Sequence, residues 1–171
     1  RRWSRLDAVF GTSERLNQIS DHIVDDLEQR WESYPIGKAM VVCSSRRTCV
    51  RLHDKIRQRR PKWFSDDLND DSSGMVKVIM TGTSSDPEEI QRHVRDSPRR
   101  KVLGERFKDP DTDFKVAIVC DMWLTGFDAP SLSTMYIDKP MKGHALMQAL
   151  SRVNRAFANK KGGVVVDYYG M

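Results

Sequence analysis

Several features that define other classes of protein are missing from these 171 residues. No apolar run approaches the roughly 20 residues that a membrane-spanning helix requires, and no apolar stretch follows the basic N-terminal residues as it would in a secretory signal. Because the sequence also lacks an initiator Met, we expect it to be a piece of a larger chain. Its composition, 39% hydrophobic and 31% charged, is ordinary for a single globular domain.

Cysteine and histidine are too few and too scattered to indicate a metal site. The three cysteines form no C-x-x-C pair, and the four histidines show no ligand spacing. Cys43 and Cys120 lie in apolar runs and are predicted to be buried thiols, as expected in a reducing compartment. The acidic segment 66–71 lacks the Gly and the terminal Glu of a calcium loop, so we predict a mobile acidic loop there.

The motifs of a self-sufficient nucleotide hydrolase are also absent. Gly37 and Lys38 are followed by Ala39, so the sequence has no G-x-x-x-x-G-K-[ST] phosphate loop. No apolar strand ends in the Asp-Glu pair that would hold magnesium, and there is no nucleophile elbow. These absences exclude a small kinase and an α/β hydrolase, and they predict that this chain alone does not hydrolyse ATP.

The net charge of +5 is modest, but its distribution along the chain is uneven. Residues 46–62 contain eight basic side chains and one acidic side chain, and a second basic cluster occupies 92–108, whereas 14–32 is mainly acidic. Such segregation can place a positive face toward phosphates. The alternative, a solvated surface with no such role, stays open.

Five short apolar runs alternate with helical patterns. They are rich in Val, Ile and Met and cover residues 39–44, 76–80, 116–120, 134–138 and 163–168. Continuous runs of this kind are typical of strands that are buried on both faces. Strands that alternate with helices predict an α/β fold in which helices cover both faces of a parallel sheet.

The segments between these runs carry helix signals. The first has an apolar stripe at helical spacing, formed by Leu16, Ile19, Ile23, Leu27 and Trp31. A basic helix is predicted over Arg46–Arg59, ended by Pro61. Asp86 and Pro87, followed by Glu89, predict the N-cap and first turn of a third helix.

Segment 143–157 carries the most informative pattern. At 100° per residue, one face of a helix would hold Leu146, Ala149, Leu150, Val153 and Phe157. Gln148, Arg152 and Arg155 fall within about 60° on the opposite face. This pattern predicts an amphipathic helix that presents two planar, permanently charged guanidiniums and an amide to a polyphosphate. In isolation, the same spacing would be a solvated helix face.

A second motif, Thr-Gly-Phe-Asp-Ala-Pro at 125–130, directly follows the predicted strand at 116–120. The two motifs, in this order, resemble the second RecA-like lobe of superfamily 2 helicases and translocases. The 148–155 pattern resembles motif VI of that superfamily, 125–130 resembles motif V, and 41–47 resembles motif IV.

A narrower resemblance is to the R subunit of type I restriction enzymes, and it covers almost the whole chain. It is carried by segments 38–47, 80–82, 123–130 and 141–155. Ser151 stands where many superfamily members have Gly, and the restriction subunits share that departure.

The resemblance implies a RecA-like three-layer sandwich with a mostly parallel central sheet and no P-loop of its own. Residues 1–171 would form one domain, the C-terminal motor lobe of a larger multidomain chain. Arg155 would be the arginine finger that reaches the γ-phosphate of ATP, with Arg152 beside it. Gln148, Gly126 and Asp128 would lie on the nucleotide side, although Asp128 could instead be a simple turn residue.

The resemblance also implies partners. Ser45, Arg46, Thr81 and Thr125 would contact phosphates of double-stranded DNA, while ATP and Mg would be held mainly by the absent first RecA-like lobe. The specificity and methyltransferase subunits would complete a cytoplasmic prokaryotic complex with no membrane contact. Two alternatives stay open: the lobe of another superfamily 2 motor, and a stand-alone nucleic-acid-binding α/β module that uses no nucleotide.

Overall fold

Five parallel strands form the centre of the structure, a computed structural model that describes residue 5 and residues 8–169. The elements are α1 (Ser13–Ser33), β1 (Lys38–Cys43), α2 (Arg46–Arg59), a 3-10 turn (Pro61–Trp63), β2 (Val76–Ile79), α3 (Glu88–Gln91), α4 (Ser97–Lys108), β3 (Val116–Val119), β4 (Leu132–Asp138), α5 (His144–Val153) and β5 (Val164–Asp167). The strand order is β2-β3-β1-β4-β5, and every neighbouring pair is parallel. The predicted α/β fold and its five strands are therefore confirmed.

The packing of the central strand β1 explains why the strands appear in the sequence as continuous apolar runs. Ala39, Val41 and Cys43 pack on one face of the sheet with α1 and α2, while Met40 and Val42 pack on the other with α4 and α5. Helices on both faces leave no strand position for water, so polar alternation disappears. The result is a three-layer sandwich.

Burial on both faces does not extend to the last strand. β1, β2 and β3 are buried along their whole length, but every residue of β5 is exposed or half-buried. β5 lies at the edge of the sheet, beside β4 alone. The prediction of a doubly buried strand is wrong there because apolar composition does not reveal which strand occupies an edge.

The helix signals give mixed outcomes. The stripe of α1 is buried as predicted, with Trp31 partly exposed at its end. Asp86 is not a helix N-cap, because α3 is a single turn that begins after Pro87. The longer helix is α4, where Asp96 accepts a hydrogen bond from the Arg99 N–H at 3.0 Å. No helix in the described part of the chain has the length and apolarity needed to cross a membrane.

The acidic and basic segments of the sequence meet each other in the fold. The acidic face of α1 packs along α2, where Arg59 pairs with Asp21 and Arg60 pairs with Glu28 at 2.6 Å. Lys55 of α2 also donates to the Ser13 hydroxyl at 3.0 Å. Two of the eight basic residues of the first cluster, Arg59 and Arg60, therefore neutralise acidic residues of a neighbouring helix instead of joining a free positive face.

The acidic loop, residues 66–71, also forms ion pairs with the second basic cluster, residues 92–108. Asp71 pairs with the buried Arg95 at 2.6 Å and with Arg99 at 2.7 Å, and Arg106 donates to the Asp71 carbonyl at 3.1 Å. Burial opposes ionisation of Asp71, but Arg99 and Arg95 outweigh it and lower its pKa. The loop is anchored at this point, so the prediction of a mobile loop is wrong for Asp71.

Replacing Asp71 with Ala should destabilise the fold by about 3 kcal/mol, because it leaves the buried guanidinium of Arg95 without its carboxylate. Urea denaturation followed by circular dichroism measures the change. Glu105→Gln is the control, because its pairing with Lys108 at 3.6 Å is exposed and should matter by less than about 1 kcal/mol. Equal stabilities of the two variants would contradict the anchoring role.

Two histidines are buried against each other between α2 and the segment that follows α3. The rings of His53 and His93 lie 4.7 Å apart, and both residues are at most 2% exposed. Burial lowers the pKa of His93 to about 3, with His53 and Arg95 adding to the effect. Burial also lowers the pKa of His53, although its hydrogen bond to Asp54 opposes this shift.

Acidification should therefore destabilise the protein before its carboxylates titrate. Unfolded histidine has a pKa of about 6.5, so below that pH the unfolded chain binds more protons than the folded one. We expect His93 alone to remove about 2 kcal/mol of unfolding free energy between pH 7 and pH 5. Urea denaturation at the two pH values should show a smaller loss for His93→Phe; an unchanged loss would argue against this origin.

Candidate functional site

The loops that follow the strands leave from one edge of the sheet, because all five strands are parallel. That carboxyl edge is where ligands of open α/β sheets bind. The residues predicted from the sequence to be functional fall into two groups. One follows β1 and β2 at this edge. The other lies between β3 and β5, where Arg155 and Asp128 lie near the opposite edge, at which β4 and β5 begin.

The first group is centred on Arg46 at the start of α2. Its Nη1 and Nη2 atoms each lie 2.8 Å from a carboxylate oxygen of Asp86, and Nη1 also donates to the Thr81 carbonyl at 3.1 Å. Asp86 accepts a further hydrogen bond from the Thr83 N–H at 2.8 Å. The contacts with Arg46 and Thr83 lower the pKa of Asp86 to about 2. The structure thus brings Arg46 and Thr81 together.

Ser45 and Thr125 occupy different situations. The Ser45 hydroxyl caps α2, accepting from the Thr48 N–H at 3.1 Å and lying 3.0 Å from the Thr48 hydroxyl. Its side chain already has a structural role in the fold. Thr125 is exposed on the loop between β3 and β4.

The second group joins the two sequence motifs. Arg155 Nε lies 3.2 Å from Asp128 Oδ1, and both side chains are about half exposed. α5, however, ends at Val153, so Arg155 follows the helix. The prediction of one helical face carrying Gln148, Arg152 and Arg155 is wrong at its C-terminal end.

Gln148 and Arg152 do lie on α5. Gln148 Nε2 is 3.1 Å from His144 Nε2, one turn earlier. Arg152 Nε is buried and has no hydrogen-bond partner among the described residues, while the residue as a whole is half-buried. Arg152 therefore retains unused donor capacity close to Arg155 in the chain.

The segment after α5 is fixed by contacts that the sequence did not reveal. Gly163 packs so closely on the Val153 carbonyl that a Cβ there would overlap it, and the Asn154 side chain accepts from the Gly163 N–H at 3.1 Å. Lys160 donates to the Pro130 carbonyl at 3.1 Å. This lysine therefore ties the segment to the end of the 125–130 turn.

An aromatic pair seats the loop between β3 and β4. The rings of Trp123 and Phe127 are stacked, with centroids 4.4 Å apart and planes 2° apart. They lie over Gly104 of α4, where an added Cβ would be 3.3 Å from Phe127. Trp123 and Gly126 have φ values of 65° and 68°, a region that costs a non-glycine residue roughly 1 kcal/mol or more. Packing of the two rings offsets that cost at Trp123.

Two further ion pairs at the carboxyl edge were missed in the sequence. Arg15 of α1 pairs with the buried Asp138 at the end of β4 and donates to the Tyr168 carbonyl at 3.1 Å. Burial raises the pKa of Asp138, although Arg15 opposes the shift. Lys139, the next residue, pairs with Asp121 at 2.7 Å. Since the partners in each pair lie far apart in the sequence, no local sequence pattern predicts these ion pairs.

The donors of the second group suit anionic oxygens better than a cation. Arg152 and Arg155 both offer guanidinium N–H groups at the partly exposed surface, and arginine binds phosphates through such donors. Among the described residues there is no cluster of three or more His, Cys, Asp or Glu side chains that could hold a metal ion.

Replacing Phe127 with Ala should release Trp123 from its stacked position. We expect the near-ultraviolet circular dichroism of the tryptophan to weaken and the fold to lose about 2 kcal/mol. Trp123→Phe identifies the band, since it should remove the same signal. Persistence of that band in Phe127→Ala would show that the ring pair does not order the loop.

Comparison with known proteins places this chain among restriction subunits. The family model described as type I restriction enzyme subunit R domain 3 matches residues 65–170. The chain is 48% identical over 168 residues to the HindI endonuclease subunit of a Haemophilus influenzae type I restriction enzyme. It is 41% identical over 170 residues to the MjaIXP endonuclease subunit of Methanocaldococcus jannaschii. The matches cover 96% and 99% of this chain but only 16% and 15% of those relatives.

A solved structure shares the fold. A fragment of an HsdR subunit of a type I restriction enzyme from Vibrio vulnificus YJ016 superposes with a TM-score of 0.64 at 14% identity. The superposition covers 96% of this chain and 28% of that one. The RecA-like three-layer architecture expected from the sequence is therefore confirmed.

Proposed function

Because this chain belongs to the type I restriction enzyme subunit R family, we propose that it is the second motor lobe of an ATP-dependent DNA translocase. In this proposal it is one part of a longer R subunit, consistent with the small share of its relatives that it spans. The lobe supplies an arginine finger to ATP bound on the first RecA-like lobe and contacts the DNA backbone.

One observation carries the proposal: Arg155 stands beside Asp128, on a surface near the starts of β4 and β5. The closest contact joins Arg155 Nε to Asp128 Oδ1 at 3.2 Å, and the Arg155 side chain is 52% exposed. Asp128 thus restrains the guanidinium while about half of the side chain stays accessible. A finger that reaches across a cleft to a second lobe requires this combination of restraint and exposure.

The neighbouring residues can extend this phosphate-side network. Arg152 has a buried Nε without a partner among the described residues, and Gln148 carries an amide on the same helix. Gly126 has a positive φ, and no atom of the described residues would lie within 4 Å of a Cβ added there, so its backbone is open to a ligand. We assign Gly126 to the nucleotide side of the cleft because its backbone is open, and Asp128 because it pairs with Arg155.

The arginines of this group suit the phosphate end of ATP, but the chain has no phosphate-binding loop of its own. When bound, ATP provides the phosphoryl group whose transfer to water concentrates negative charge on the γ-phosphate oxygens. Arg155, with Arg152 beside it, would stabilise that charge. The sequence offers neither a phosphate loop nor the paired carboxylates for magnesium, so both roles are assigned to the first lobe.

DNA contacts are assigned to the first group, at the carboxyl edge, and to the exposed Thr125. Arg46 and Thr81 are adjacent there, with Ser45 at the helix N-cap. Contacts to backbone phosphates carry no base information, as a motor that moves along any sequence requires. Double-stranded DNA, the first lobe, and the specificity and methyltransferase subunits are the proposed partners, in the cytoplasm of a prokaryote.

Replacing Arg155 with Ala in the full-length R subunit, assembled with its partner subunits, should abolish DNA-dependent ATP hydrolysis. Loss of an arginine finger lowers the rate by roughly 10³-fold or more, because charge on the transferred group is no longer stabilised. ATP binding should survive, since this chain does not hold most of the nucleotide. Steady-state ATPase assays and equilibrium nucleotide binding measure the two quantities.

Lys161→Ala is the matched control, because it removes an exposed cation a few residues away. It should hydrolyse ATP normally. Full turnover by Arg155→Ala would refute the finger. Gln148→Ala and Asp128→Asn separate the motor from a stand-alone nucleic-acid-binding module: both should lower ATPase activity in a motor, and neither group has a use in a module that binds no nucleotide.

A further inference from the structure

Arg46 keeps two hydrogen-bond donors after its internal contacts are counted. A guanidinium has five N–H groups. Two from Nη1 go to Asp86 and the Thr81 carbonyl, and one from Nη2 goes to Asp86. The N–H of Nε and the second N–H of Nη2 have no partner among the described residues. These two lie on the same side of the planar group and form a fork of the kind that binds two oxygens of one anion.

Asp86 fixes the direction in which this fork points. Its carboxylate holds the tip of the guanidinium through two hydrogen bonds of 2.8 Å and is itself held by the Thr83 N–H. Asp86 is 13% exposed, whereas the Arg46 side chain is 40% exposed. The anchoring carboxylate is therefore largely shielded, while the arginine faces outward.

Gly82 makes room for this pair. A Cβ at this position would lie 2.6 Å from Asp86 Oδ2, 3.1 Å from Arg46 Nη1 and 2.5 Å from a methyl group of Val94. The loop that follows β2 can cross the ion pair only without a side chain here. Arg46, Gly82 and Asp86 thus form one seat that imposes a single orientation on the guanidinium.

The surroundings of the seat favour an anion. It opens into a cavity of about 270 Å³ lined by Arg46, Thr81, Gly82, Thr83 and Asp86. Arg47, the next residue of α2, is exposed, and the first turn of that helix contains no acidic residue. The two threonines of the loop are exposed as well.

We propose that the free edge of Arg46 binds a backbone phosphate of double-stranded DNA side-on, and that Asp86 is the positioning residue that aims it. The proposal rests on the motor function above and adds to it a residue that acts through Arg46. ATP offers the same phosphate chemistry as DNA, so the test has one arm for each source.

The positioning role predicts that a change at Asp86 alters DNA affinity in the opposite direction from the one that net charge predicts. Removing a negative charge near a DNA-binding arginine should tighten binding if only net charge matters. Removing a positioning carboxylate should weaken binding, because the guanidinium loses its fixed direction. The sign of the change therefore separates the two accounts.

Affinity of the full-length R subunit for a double-stranded oligonucleotide, measured over a range of salt concentrations, provides the test. Arg46→Ala should weaken binding about tenfold, as expected for lost charge-assisted hydrogen bonds, and should lower the slope against log salt by about 1. Arg46→Lys should weaken binding while leaving that slope unchanged, because it keeps the charge without the fork. Asp86→Asn should weaken binding about fivefold despite the added net positive charge.

Arg60 and Glu28 provide the matched control at the other end of α2. The Arg60 side chain is 36% exposed, close to the value for Arg46, whereas its partner Glu28 is 43% exposed and so less shielded than Asp86. Glu28→Gln should leave DNA affinity unchanged or slightly tighter. Thermal unfolding followed by circular dichroism checks that each variant is folded. Arg46→Lys and Asp86→Asn are the more conservative substitutions, so the test still stands if Arg46→Ala does not fold.

Failure of this proposal can be distinguished from failure of the proposed motor function. Unchanged or tighter DNA binding by Asp86→Asn overturns the positioning role. Loss of ATP affinity in the Arg46 variants, with DNA affinity intact, assigns the phosphate to the nucleotide and also overturns it. In either case, an Arg155→Ala variant that lacks ATPase activity would leave the motor function standing.

Discussion

Two arginines paired with carboxylates lie at opposite edges of this sheet. Arg46 is held by Asp86 after β1 and β2, and Arg155 by Asp128 between β3 and β5. In each pair the carboxylate engages part of the guanidinium and leaves other donors unpaired among the described residues. An arginine whose direction is already fixed loses less conformational entropy when it binds an anion. The parallel sheet sets their places: Arg46 follows β1 at the carboxyl edge, whereas Arg155 follows α5 and lies near the starts of β4 and β5.

The remaining charges show how selective this arrangement is. Arg59 and Arg60, at the end of α2, pair with acidic residues of α1, and Arg95 and Arg99 anchor the acidic loop through Asp71. These pairs stabilise the fold and leave those arginines little capacity for a phosphate. A net charge of +5 therefore says little about binding, whereas the few arginines with unpaired donors define where an anion can be held.

The sequence predicted the strands well because each is a short apolar run, and β1, β2 and β3 are buried along their whole length. It predicted the end of α5 poorly: a periodic pattern continues through Arg155, but the helix ends at Val153, whose carbonyl is in close contact with Gly163. Asp86 was misread for a related reason. Beside Pro87 it carries a capping signature, yet its partner is Arg46, forty positions away in the chain. Local patterns contain no information about such a partner.

The amino-acid sequence by itself determined the α/β architecture, the family and the two motifs, because periodicity and motif spacing are properties of neighbouring residues. Only the tertiary structure decided which charged groups neutralise one another and which keep free donors. It also decided that Trp123 and Phe127 rest on Gly104 and that Arg155 meets Asp128 beyond the end of the helix. The physical reason is that hydrogen bonding and charge pairing depend on distances of a few ångströms between residues that chain order leaves far apart.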